Sequence, residues 1–316
     1  MAGKLDLDLD LDLDLDLDLG GRPGSGGGPR YNSDDFPRMI PAAFPPAIPV
    51  PTKDYSLGGW DPELRAWGYV EEFIASYVAP NTAVSVIRAA IYGQNVFPVT
   101  DRHGMYVGIT KPLTPNELAL QVKGVLDASI DRADRSLEIL DQASGRGALH
   151  YWTGMLRIDP SKDRNTFLLM LVARKIGEYV AMGLKDHFQM RRPAQVYPLI
   201  MPLIDGPDTP SFPSSHSLQA HLITGVLKLA LTPAVAAVWP PAGPPPPPCA
   251  NAAQALDVLA DRIAYNREVA GVHYRMDSLC GHFAAVQILT QLSGLPAGGP
   301  FKQLVIAANA ELRDVH

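Results

Sequence analysis

Three short stretches of this 316-residue chain carry side chains that could act together. In KDHFQMRRP, Lys185 and Arg192 flank the end of a helical run that Pro193 stops. Each cation alone reads as a complement to a helix dipole. Brought together, a point-charge ammonium and a planar guanidinium would grip a tetrahedral oxyanion. In PSFPSSHS, Ser214 and Ser215 follow Pro213 as an N-cap would, with His216 in the first turn. A helix N-terminus also presents free N–H groups to an anion, and His216 beside it would give or take a proton. In NREVAGVHYRMD, His273 and Asp277 are four residues apart, so in a helical turn the carboxylate can hold one ring nitrogen and leave the other as nucleophile or metal ligand. Arg267, six residues before His273, adds a third cation.

Taken in order, the stretches read Lys-x6-Arg-Pro at 185–193, Pro-Ser-x-His at 213–216 and Arg-x5-His-x3-Asp at 267–277. This tripartite pattern resembles the signature of the type 2 phosphatidic acid phosphatase superfamily, which joins soluble acid phosphatases, membrane lipid phosphatases and vanadium-dependent haloperoxidases. The resemblance covers about Lys185 to Asp277. It implies that Lys185, Arg192, Arg267, the Ser214 hydroxyl and the Ser215 N–H bind phosphoryl oxygens. It further implies that His273 attacks phosphorus to give a phosphohistidine, that Asp277 orients His273, and that His216 protonates the leaving alcohol and then activates water. Ser215 occupies a position where the family has Gly, and Asn266 one where it has Ser.

Three functions compete for this pattern. The first is metal-independent hydrolysis of a small phosphate ester, with no cofactor. The second is a haloperoxidase that uses vanadate as cofactor, with His273 as vanadium ligand and halide and peroxide as substrates, since vanadate copies the charge and shape of phosphate. The third is an inactive anion-binding scaffold, whose support is Ser215 and Asn266. The short gap between the second and third stretches, lengthened only by a proline run, resembles compact acid phosphatases and ranks hydrolysis first. His187, His221 and His282 read as packed or surface histidines, and Arg191 as facing away from Arg192.

The elements that must position these residues read as helices, and the fold class expected is an all-α bundle of roughly six to eight helices of the acid phosphatase and haloperoxidase type. One starts at Asp61–Pro62. A second opens on the capping box Thr114, Pro115, Glu117 and extends through the stripe Leu118, Val122, Leu126, Ile130, Leu137. Others are expected at about 165–189, 214–231, 252–268, 277–292 and 301–312. β-Alternation is suggested only in GMYVGIT. The helical domain is placed at 59–316, with a proline-rich loop at 240–250.

Upstream, seven aspartates alternate with leucine between Asp6 and Asp18, followed by GGRPGSGGGPR, so residues 1–30 are expected to be a disordered tail. Prolines continue through an extended segment at 31–58. The formal charge of −6 is owed to those aspartates, which leaves no basic bias for a nucleic-acid partner. Cys249 and Cys280 lack the number or spacing for a disulfide framework or metal knuckle. The runs from Thr166 and Leu222 are nearly bilayer length, yet Arg174, Lys175, Glu178, Lys228 and Pro233 interrupt them, so no integral membrane association is expected. No basic region precedes a continuous apolar stretch at the N-terminus, which makes the cytoplasm the default expectation.

Overall fold

The computed structural model describes residues 62–76, 82–93, 113–143, 148–231, 249 and 251–314. The Leu-Asp tail, the extended segment, GMYVGIT, Asp61 and nearly all of the proline-rich loop lie outside them. Among the described residues the architecture is all helical. The helices are α1 (Pro62–Ala75), α2 (Thr82–Gly93), α3 (Pro115–Ala128), α4 (Arg132–Gln142), α5 (Leu149–Leu156), α6 (Arg164–Phe188), the single turn α7 (Pro193–Val196), α8 (Ser215–Ala230), α9 (Ala252–Ala270), α10 (Arg275–Ser293) and α11 (Pro300–Asp314).

Local chemistry explains the starts and stops. Thr114 and Glu117 close the expected capping box at α3. Ser214 caps α8 by accepting from the Ser217 N–H, and Asn251 caps α9 by accepting from Gln254 N–H. The start of α6 is capped from afar, because the Glu311 carboxylate of α11 accepts from the Asn165 and Thr166 N–H groups at 3.0 and 2.7 Å. Gly271, at φ 86°, ends α9 in the left-handed region that a side chain would resist, and the turn it makes delivers His273 to the next helix.

The packing centres on α8, which lies against α6, α9 and α10, while α1 and α11 pack on α6. The main apolar core runs through these elements, with Leu168–Ala173, Leu222, Val226, Leu227, Ala284 and Ile288 fully or nearly withdrawn from water. The charges of α6 are reconciled with burial by α1: Glu63 pairs with Arg174 at 2.6 Å and Lys175 at 3.3 Å, and the Lys175 ammonium lies over the Trp67 ring. No helix among the described residues is long and apolar enough to cross a membrane.

The structure corrects two expectations. The long second helix is interrupted by a 3₁₀ turn, Ser129–Asp131, between α3 and α4. The expected stripe is not the buried face: Ile130 and Leu137 are 79% and 83% exposed, and the face actually buried, which packs toward α9 and α10, carries Gln121, Val125, Ala128, Ile139 and Gln142. More helices also form than the six to eight expected, chiefly α2, α5 and the single-turn α7, none of which the sequence pattern signalled.

Candidate functional site

A pocket of about 270 Å³ opens where α8, α9 and the start of α10 meet, lined by Arg192, His216, Arg267 and His273 with Ala143, Ile204, Asp205, Pro207 and Val272. A small apolar cluster under its wall, Ala128, Ile139, Val269, Ala270 and Val272, fixes α4 against the end of α9. Arg132 completes that joint by donating to the carbonyls of Val269, Met201 and Ile200 at 2.9, 2.8 and 3.1 Å.

Behind the pocket, His273 precedes the extended N-cap Tyr274 of α10 and Asp277 lies in its first turn, so the two meet across the helix start and not within a helical turn. Nδ1 of His273 lies 3.0 Å from Asp277 Oδ2. The same oxygen accepts the Ser211 hydroxyl at 2.5 Å and the Tyr274 N–H at 3.0 Å, so Asp277 caps α10 and anchors the imidazole at once. The carboxylate can only accept, so Nδ1–H of His273 donates to it and Nε2 keeps its lone pair outward. That Nε2 faces Arg192 Nη1 at 3.4 Å.

Burial, reinforced by the positive fields of Arg192, Lys185, His216 and Arg267, holds the His273 imidazole well below its ordinary range, so the ring is neutral. Burial pushes the Asp277 carboxyl up to about 6, against the opposite pull of the Ser211 and Tyr274 donors and of Lys185 and Arg192. At neutral pH it is the ionised form.

Carbonyl, hydroxyl and amide oxygens aim the cations. Arg192 donates to the carbonyls of Thr209 (2.9 Å) and Val272 (3.0 Å) and to the Thr209 hydroxyl (3.0 Å). Lys185 donates to the carbonyls of Pro210 and Ser211. Arg267 donates to the Ile139 carbonyl at 3.1 Å and to Gln142 Oε1 at 3.0 Å. All three are at most 5% exposed. Asn266 donates to the same Gln142 oxygen at 3.1 Å and accepts from Arg135 at 2.9 Å, so it acts on the arginine beside it through Gln142.

Each residue singled out by sequence is thereby located. Arg192, His216, Arg267 and His273 line the pocket. Lys185 and Asp277 are buried behind it. Ser214 is buried as the α8 cap, with its N–H on the Asp277 carbonyl at 3.1 Å. Ser215 begins α8, and its buried hydroxyl makes no hydrogen bond to the described residues. His187 contacts Arg88 and Phe188, while Arg191 lines a separate apolar groove of about 430 Å³ with Leu113, Leu118, Phe188, Met190, Val196 and Met276.

Sequence reading missed Ser211, Thr209, Gln142 and Asp205. Ser211 lies within the serine-rich stretch and Thr209 just before it, so both carried a local signal. Gln142 carried none, since it reaches Arg267 from 125 residues away.

Residues 166–293 match the family model described as the PAP2 superfamily. The matched segment runs from α6 to the end of α10 and includes all three stretches. No curated protein matches the chain.

Proposed function

We propose, on the match of residues 166–293 to the PAP2 superfamily, whose members are phosphatases and phosphoesterases, that the chain hydrolyses phosphate monoesters through a phosphohistidine on His273. The carrying observation is the geometry around His273: a neutral, buried imidazole with Nδ1 on Asp277 and Nε2 turned toward the guanidinium of Arg192, at the wall of a pocket that also holds Arg267 and His216.

In this reading the phosphoryl oxygens lie among Lys185, Arg192, Arg267 and the start of α8, where the Ser214 hydroxyl and the Ser215 N–H donate. His273 Nε2 gives its lone pair to phosphorus as the P–O bond to the alcohol breaks. His216, as imidazolium, passes its proton to the leaving oxygen. The Asp277 carboxylate offsets the positive charge that develops on the His273 ring. Water, deprotonated by the now neutral His216, then attacks phosphorus, the N–P bond breaks and phosphate leaves. Charge on the transferring group is balanced by three cations and the helix N-terminus.

The test pairs two assays on the purified chain: hydrolysis of an aryl phosphate, and bromination of a phenolic dye with peroxide and bromide after loading with vanadate. Hydrolysis inhibited by vanadate, without bromination, supports the proposal. Bromination that requires vanadate would replace it, with His273 as vanadium ligand. Phosphate binding without turnover would leave an anion-binding scaffold.

A further inference from the structure

Outside the pocket, three side chains from three helices converge: His221 of α8, Asp261 of α9 and His282 of α10. One ligand atom from each lies within 4.8 Å of the other two. We propose that these residues bind one divalent transition-metal ion, of the zinc class, which ties together the three helices that carry the candidate active site.

The hydrogen bonds of His221 point to a cation. Its Nδ1 lies 2.7 Å from the Ser217 carbonyl, which can only accept, so Nδ1 bears the proton of the neutral ring. Nε2 then turns its lone pair on the Asp261 carboxylate at 3.2 Å. A lone pair and a carboxylate oxygen at that distance repel unless a positive centre sits with them, either a second proton or a metal ion. His282 decides between these. Its ring stacks on His221 with centroids 3.9 Å apart and an interplanar angle of 11°, which brings a second soft nitrogen to the same spot.

The backbone carbonyl behind Nδ1 is the usual outer partner of a metal-bound imidazole and fixes the tautomer in advance. Two histidines and one carboxylate, with water completing a tetrahedron, suit zinc at about 2.0–2.2 Å from each ligand. Parallel rings send their lone pairs side by side, so ligation requires His282 to tilt toward His221. Its exposed position leaves room for that, while His221 is only 9% exposed and already set. Asp257, one turn away on α9, is engaged by Lys228 at 2.8 and 2.7 Å, which leaves Asp261 as the carboxylate ligand.

This site is chemically independent of the hydrolytic proposal. The experiment is calorimetric titration of the chelator-treated full chain with zinc ion, alongside His221→Ala, His282→Ala and Asp261→Asn, with His273→Ala as control. The expected result is one equivalent bound by wild type and by His273→Ala, weakened about 10–100-fold or more in each of the other three. Melting temperature should rise with zinc in wild type and stay fixed in those three, whose metal-free circular dichroism reports that they remain folded. Absence of saturable binding by wild type, or equal binding by all three variants, would overturn the site. So would nitrogen-15 NMR in the presence of zinc that shows His221 as an imidazolium bonded to Asp261.

Discussion

At the scale of single residues, the account turns on how one carboxylate serves two masters. Asp277 Oδ2 anchors His273 and accepts from Ser211 and Tyr274. Replacing Ser211 by Ala removes a buried, charge-assisted hydrogen bond and is expected to cost about 1.5–3 kcal/mol of stability in a denaturant titration. It should also lower kcat, because the imidazole loses a fixed partner orientation. The pH profile follows from the same group. As pH falls through about 6, Asp277 takes up a proton and the anchor of His273 is lost, so kcat/KM should decline there. Protonation of His273 itself lies well below the usual imidazole value of 6.5 and adds nothing to that limb. A rate profile whose acid limb persists unchanged in Asp277→Asn would refute this assignment. His216→Ala should reduce kcat by roughly 10²–10⁴-fold on a substrate with a poor leaving group, and far less on an activated aryl ester that needs no proton.

Between residues and the whole stand the helices, and here close packing sets the site. A Cβ on Gly281 of α10 would come within 2.7 Å of the Ser214 carbonyl oxygen and 2.9 Å of the Leu218 nitrogen. Both are backbone atoms of the α8 start, so they cannot swing aside. Gly281→Ala is expected to cost about 1–3 kcal/mol and to lower activity as well, because the anion-binding end of α8 must retreat. Differential scanning fluorimetry and kcat measured together check it; a variant with unchanged activity would mean that α8 does not contribute. Helices with chemical punctuation were legible from the chain: Thr114 and Glu117, Ser214, and the proline after Arg192 announce their own boundaries. Those without it were not. The break at Ser129–Asp131 interrupts a continuous helical pattern, and the buried face of α3 and α4 is the one packed toward α9 and α10, not the expected leucine stripe. For the same reason the pocket's polar roster was legible where it lay within the three stretches and invisible at Gln142, whose partner is Arg267 across the fold. Gln142→Ala should therefore weaken binding of phosphate or vanadate, read as a raised inhibition constant, with a smaller effect on kcat.

For the molecule as a whole, the three stretches come from α6 and the loop after it, from α8, and from the α9–α10 turn, and packing around α8 brings Arg192, His216, Arg267 and His273 to one pocket. A ligand that binds only the folded state stabilises it, so phosphate should stabilise the chain by about 2.7 kcal/mol at a hundredfold excess over its Kd. Arg267→Ala should abolish that dependence. The central claim is narrower: Nε2 of His273 bonds to phosphorus during turnover. Rapid quenching of the reaction with an aryl phosphate, followed by peptide mass spectrometry under alkaline conditions that preserve phosphohistidine, tests it directly. The account predicts an acid-labile phosphoryl group on His273 that forms and decays with turnover and is absent in His273→Ala, which should lose at least ~10³-fold in kcat. Phosphate transferred to another residue, or near-normal turnover by His273→Ala, would contradict it.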